Sequence, residues 1–349
     1  MTNSQKNILL ALGIALFIAT IAVHLLWSLK GAGRLTDRDI YYVWEEGKKL
    51  ANGINPYARI IGNSIRDNDK YPTYLPLSYY AVAIFDRLGI KEFDDFVKVW
   101  RLINLFCHLC IGILIINVYK HEHKIVSGLV ACGILLLGRW SSYIINVQHL
   151  EFIAILPILL AGHQLHRKPK LSALLFGLSL SVKHVGIILL PSFLIELNAK
   201  LAAKGNTFKR KQILIYSVIA LAIPLVISLP FLLDQPLGFT LNMLFSTTRD
   251  FSDHGKATGT RIILTGVDGT RLLMVALIVI NWLAQAKEKV NFWHASTVTL
   301  LLFLQFNAVI FAQYYIWLAA FLVISFAYIP SRSNGELKAE RSNQTTPTN

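Results

Sequence analysis

A succession of ten apolar runs, set apart by short polar breaks, constrains this 349-residue chain more than any other feature. The first run extends from about Ile8 to Leu29, and the others begin near Phe96, Ile125, Leu150, Leu171, Val185, Gln212, Thr260, Phe292 and Tyr314. An apolar stretch of about 20 residues crosses the hydrocarbon core as a helix, a form that satisfies every backbone polar group within the segment. At its length the first run is a retained membrane helix rather than a signal-peptide core. Composition agrees, with 54% hydrophobic and 15% charged residues and a mean hydropathy of +0.51, which excludes an ordinary soluble domain. The expected fold is therefore an all-α integral membrane protein, a polytopic helical bundle with about ten transmembrane helices. It forms a single domain over residues 1–330, followed by a disordered cytoplasmic tail at 331–349.

The formal net charge of +14 does not point to nucleic acid, because no stretch is long and polar enough to build a basic soluble face. Membrane lipids are the expected partners of cations that flank apolar spans. Cys107, Cys110 and Cys132 all lie in apolar runs and imply packing rather than a disulfide framework. Orientation follows from the cation-rich breaks at 120–124, 166–170, 200–211 and 287–289 and from the tail beyond Arg332. With both termini cytoplasmic, all of these fall inside. Two larger loops, about 30–95 and about 233–259, then face outward from a plasma (inner) membrane. This arrangement requires that the apolar stretch 74–88 lie at the interface instead of crossing, and its length is indeed short for a span.

In the first outer loop Ile40, Val43, Trp44, Gly47, Leu50 and Ala51 recur at helical spacing, with Asp39, Tyr42, Glu46 and Lys49 on another face. That pattern predicts an amphipathic helix on the membrane, and Thr36 with Asp39 three positions on fits a capping box at its start. Farther along, the runs 171–182 and 186–197 are each short for a crossing. Their junction, Lys183-His184, puts a cation at a depth where charge usually lines a site or a water-filled cavity. A lysine snorkelling to the headgroups explains the same position more simply.

The features also have a telling order. Asp37-Arg38-Asp39 is followed by Tyr41-Tyr42, by Gly53-Ile54-Asn55-Pro56-Tyr57 and by Tyr71-Pro72-Thr73-Tyr74-Leu75-Pro76-Leu77. Later come Asn146-Val147-Gln148-His149, the Gly177 to Lys183 segment GLSLSVK, and Gln313-Tyr314-Tyr315-Ile316-Trp317. This series resembles the GT-C superfamily of integral-membrane glycosyltransferases, and within it glycosyltransferase family 87. Those sequences carry D-x(2-4)-YY, G-x-NPY and a compact YPPL in the first outer loop; YPTYLPL here departs from the last.

The resemblance implies a bundle of GT-C type with amphipathic juxtamembrane helices in the first outer loop. It also implies transfer of a hexose, with mannose first, from a polyprenyl-phosphate carrier to a lipid-linked or envelope glycan acceptor on the extracytoplasmic face, by an inverting displacement. An aspartate at the head of the first outer loop acts as base in such enzymes, which maps onto Asp39 or, second, Asp37. No cofactor beyond the lipid-linked donor and no metal is implied, although Asp37 and Asp39 together spell a DxD. Lys183 and His184 are candidates for the donor phosphate, together with Arg139, His149, Arg249 and Arg261, cations expected on or near the outer face. Tyr42, Tyr57, Tyr71, Gln148, Gln313, Tyr314, Tyr315 and Trp317 are candidates for sugar or lipid contact, against the simpler reading of the last three aromatic residues as an interfacial belt. A polytopic transporter or flippase of lipid-linked sugars is the competing expectation, because many helices, prolines in spans and buried basic residues serve transport equally well. A non-catalytic scaffold is a third, which leaves the acidic head of the loop without a purpose.

Overall fold

The structure, a computed structural model, describes residues 2–60, 72–203, 205, 207–248, 266–307 and 311–329. Fourteen α-helices follow one another: α1 (Asn3–Ser28), α2 (Asp39–Ala51), α3 (Leu77–Arg87), α4 (Phe93–His121), α5 (Ile125–Leu137), α6 (Arg139–Val147), α7 (Glu151–Gln164), α8 (Pro169–Val182), α9 (Leu190–Ala203), α10 (Lys209–Asp234), α11 (Pro236–Thr248), α12 (Gly266–Ala286), α13 (Phe292–Phe306) and α14 (Tyr315–Ser325). No strand occurs among the described residues. Among the described residues five helical segments are long and apolar enough to cross a membrane: α1, α4, α5 with α6, α9 with the 3-10 turn that precedes it, and α10. Five shorter apolar helical segments, at α7, α8, α12, α13 and α14, accompany them among the described residues, and the start of the run expected near Thr260 lies outside these. A 14-residue helix such as α7 or α8 rises only about 21 Å, less than the ~30 Å of hydrocarbon. The run after Lys183 differs from expectation, because the 3-10 turn His184–Leu189 leads straight into α9 and makes a 20-residue segment.

Large apolar side chains such as Ile8, Leu12, Phe106, Val130, Leu214 and Val226 face outward, as a lipid-facing surface requires, while serine and glycine line the helix contacts within. Ser172 and Ser179 of α8 donate to the carbonyls of Ala161 and Ala154 of α7, both at 2.7 Å, so the two helices run antiparallel in close contact. On its far side α8 turns Gly177 toward α10, where a Cβ would meet Ala220 O at 2.8 Å. Each serine hydroxyl thus replaces the water it would otherwise need.

The bundle has two distinct ends. At one, Lys124 donates to Ala327 O, His166 pairs with Glu196 at 3.0 Å, and the His121 and His163 rings lie 6.5 Å apart. The start of α7, the end of α8 and the start of α14 meet at the other, beneath α2 and α3. The cation-rich breaks at 120–124 and 166–168 thus lie opposite the first large loop.

In that loop α2 packs on α3. Gly47 makes the approach possible, since a Cβ there would stand 2.3 Å from Val82 Cβ. Ile40 and Val43 are buried in this contact, and Tyr41 and Trp44 pack on Phe93 with ring separations of 5.1 and 5.2 Å. The stripe expected to lie on the membrane is therefore used largely against protein. Glu46, expected on the polar face, is buried and paired with Lys49 at 2.9 Å. The expected capping box does not form either. Thr36 Oγ1 donates back to Gly33 O at 3.0 Å, Arg38 occupies the cap, and Asp39 is the first residue of the helix. Within the second expected loop α11 packs against the turn at Tyr57, with Gly238 facing Tyr57 O. Tyr71, Arg249, Arg261 and the tail at 331–349 lie outside the described residues.

Candidate functional site

Three helix ends converge beneath the first loop, and each presents the charge its dipole favours. Asp39 opens α2 and Glu151 sits in the first turn of α7, where free backbone N–H groups stabilise an anion. Lys183 closes α8 in an extended conformation, where the last carbonyls favour a cation.

Glu151 is completely buried, Lys183 is 4% exposed, and the Lys183 ammonium donates to Glu151 Oε1. The ammonium also lies 5.7 Å from the Tyr74 ring centroid and 5.0 Å from that of Tyr314. Two aromatic faces and one carboxylate thus compensate a cation that would otherwise be costly at this depth. Glu151 Oε2 accepts no hydrogen bond among the described residues and lies 4.0 Å from His149 Nδ1.

Asp39 joins this group from above. Tyr74 donates from its hydroxyl to Asp39 Oδ2 at 2.8 Å, and His149 Nδ1 stands 3.5 Å from the same oxygen, longer than a normal hydrogen bond. The Asp39 side chain keeps 28% of its surface accessible, in contrast to Glu151. Burial raises the Tyr74 phenol well above its usual range, and the nearby Asp39 and Glu151 carboxylates raise it further. Tyr74 therefore remains a proton-bearing donor at neutral pH. Tyr143 closes the cluster, its ring stacked on His149 with centroids 6.2 Å apart. Asp39, His149, Glu151, Lys183, Tyr74 and Tyr314 thereby form one half-open constellation of two carboxylates, a cation, an imidazole and two phenols. Neither a known family model nor a curated protein matches the chain.

Gln148 builds the corner that aims His149 and Glu151. Its backbone is left-handed (φ 56°), its carbonyl accepts from Trp100 Nε1 at 3.2 Å, and its side chain accepts from Asn104 at 3.1 Å. Its side chain is buried. Tyr57 has a comparable part: fully buried against Phe231 and Phe239, it donates to Tyr74 O at 2.7 Å and so fixes the segment that carries the Tyr74 phenol.

Of the other residues singled out in the sequence, Asp37 is exposed and pairs with Arg38 at 3.3 Å, while the Asp39 carboxylate accepts from Tyr74. The exposed Arg139 lies over Trp140 at 5.0 Å, and Trp140 in turn stacks on Tyr315 at 4.6 Å. Trp317 is 1% exposed and packs toward Gly186, which places it in the core and not in an interfacial belt. His184 follows Lys183 into the 3-10 turn, Tyr42 packs edge-on to Tyr41, and Gln313 is buried just ahead of Tyr314.

Sequence reasoning missed Glu151, gave Tyr143 no part in the site, and left Tyr74 open between an interfacial aromatic and a sugar or carrier contact. A signal for the first was present: Glu151 is the lone acid at the head of an apolar run, as Lys183 is the lone base at the end of another. No group of three side chains suited to a metal is assembled among the described residues.

Proposed function

We propose that this chain is a membrane glycosyltransferase of GT-C type that moves a hexose from a polyprenyl-phosphate carrier to a lipid-linked or envelope glycan acceptor. The observation that carries the reading is the partly accessible carboxylate of Asp39, held by Tyr74 and set beside the buried Lys183. A base and a phosphate-stabilising cation are the two groups that sugar transfer from a lipid phosphate needs. The acceptor hydroxyl attacks the anomeric carbon and loses its proton to Asp39. The bond from that carbon to the phosphate oxygen breaks, and the oxygen leaves with the electron pair toward Lys183. Backside attack in this one step inverts the anomeric centre.

Lys183 is already paired, so an incoming phosphate must share or replace Glu151. The second oxygen of Glu151 accepts no hydrogen bond among the described residues and lies 4.0 Å from His149, which offers that carboxylate an alternative neighbour. The reading places the cluster on the extracytoplasmic side of the plasma membrane, because the cation-rich breaks collect at the opposite end of the bundle and such breaks remain cytoplasmic. Mannose is the first sugar to try.

The test is transfer of radiolabelled hexose from polyprenyl-phosphate-mannose and polyprenyl-phosphate-glucose to membrane lipid extract, with the wild type and Asp39→Asn side by side. Transfer by the wild type that Asp39→Asn loses supports the reading; transfer with neither donor by intact protein refutes it. One observation favours a second reading, a transporter or flippase: the buried Glu151–Lys183 pair puts opposite charges on two adjacent apolar helices, as carriers do. Movement of lipid-linked sugar across vesicles without any change in its glycosidic bond would select it.

A further inference from the structure

Away from the Asp39 cluster, a cleft of about 430 Å³ opens between the C-terminal end of α1 and the N-terminal third of α4. Its volume falls within the range of about 300–1,000 Å³ typical of ligand sites. Two cations, Lys98 and Arg101, line it against one carboxylate, Asp94. Arg101 is anchored by donating to Ser28 O at 3.1 Å and Gly31 O at 3.3 Å, which uses two of its five N–H groups. Lys98 reaches Asp95 at 2.7 Å on the surface and is 70% exposed, free to swing toward a ligand.

On the hydrocarbon side the cleft is walled by Leu25 and Leu102, which are 58% and 66% exposed. His24, 6% exposed on the inner side of α1, meets His108 behind the cleft at 3.1 Å, and His108 stacks on Phe152 with ring centroids 4.1 Å apart. Imidazoles within apolar helices are retained where they border a hydrated or ligand-bearing cavity. Two cations at one end of the cleft and exposed leucines along its side match one kind of occupant, an amphiphile with an anionic head at the membrane surface and chains along the leucines.

We propose that the cleft between α1 and α4 binds the phosphate headgroup of an anionic bilayer phospholipid. The bound head ties the end of α1 to α4 and so steadies the start of the loop that delivers Asp39. The assignment does not depend on the transferase reading, since it rests on charge, burial and shape at a separate place.

The full chain, purified in detergent, is titrated with phosphatidylglycerol or phosphatidylcholine, and the fraction carrying one lipid is read by native mass spectrometry. The wild type is expected to retain phosphatidylglycerol about tenfold better than phosphatidylcholine. Lys98→Glu, an exposed change that sets two carboxylates in the cleft against Arg101, should bring that ratio close to one without lowering the melting temperature. Equal retention of the two lipids by the wild type, or an unchanged ratio in Lys98→Glu, overturns the proposal. Inorganic phosphate that displaces phosphatidylglycerol at millimolar concentration, and itself protects the chain from thermal unfolding, marks a free-phosphate site and overturns the lipid assignment.

Discussion

Glu151 and Lys183 set the terms at the scale of single residues. A buried pair loses more from the removal of one partner than from the removal of both, because the remaining charge has neither water nor counter-ion. Glu151→Gln is expected to destabilise the chain by about 3 kcal/mol, whereas the double change Glu151→Leu with Lys183→Met should recover most of that loss. Thermal unfolding in detergent separates the two, and equal melting of the single and double variants would remove the charge-pair account. Asp39→Asn should behave differently, with melting unchanged and transfer reduced by about a hundredfold or more. Tyr74 adds a pH dependence. Its folded pKa is raised, so the native state holds the proton more tightly than the unfolded one, and stability falls as pH rises past the usual tyrosine range near 10. Replacement of Tyr74 by Phe should flatten part of that alkaline decline in melting temperature, and an identical slope in both proteins would deny the phenol its buried position.

Helix termini and close helix contacts govern the scale of elements. Two of the charges at the site stand at ends of short helices, α7 and α8, whose antiparallel contact is locked by Ser172 and Ser179. The third rides on α2, whose place depends on Gly47 lying against Val82. Gly47→Ala is expected to push α2 from α3 at a cost of about 1–3 kcal/mol and to expose residues 39–51 to faster hydrogen exchange. Unchanged exchange there would mean that α2 is held by something other than this contact. The same element shows why a pattern of apolar residues has two outcomes. Spacing at 40, 43, 44, 47, 50 and 51 defines an apolar stripe but not its partner, and the structure supplies α3 and Phe93 where a lipid surface was expected.

The whole molecule is a helical membrane protein whose cation-rich breaks gather at the end remote from Asp39. Cysteine scanning in sealed vesicles should therefore label position 53 from outside and position 168 only from within; the reverse pattern would move the candidate site to the cytoplasmic face. Ten apolar stretches, a helix over 40–51 and an interruption at Lys183 were all legible along the chain, because each follows from local hydropathy, helical period and the cost of placing charge in hydrocarbon. The partners were not legible. That Lys183 meets Glu151, that Tyr74 rather than a capping threonine engages Asp39, and that Trp317 and Tyr57 are core all depend on contacts between residues far apart in the chain. Sequence by itself thus determined which segments are apolar enough to favour hydrocarbon and which residues are costly there. Only the tertiary structure decided which of those costs cancel one another, since compensation of buried charge requires contact in space, and contact is a property of the packed helices.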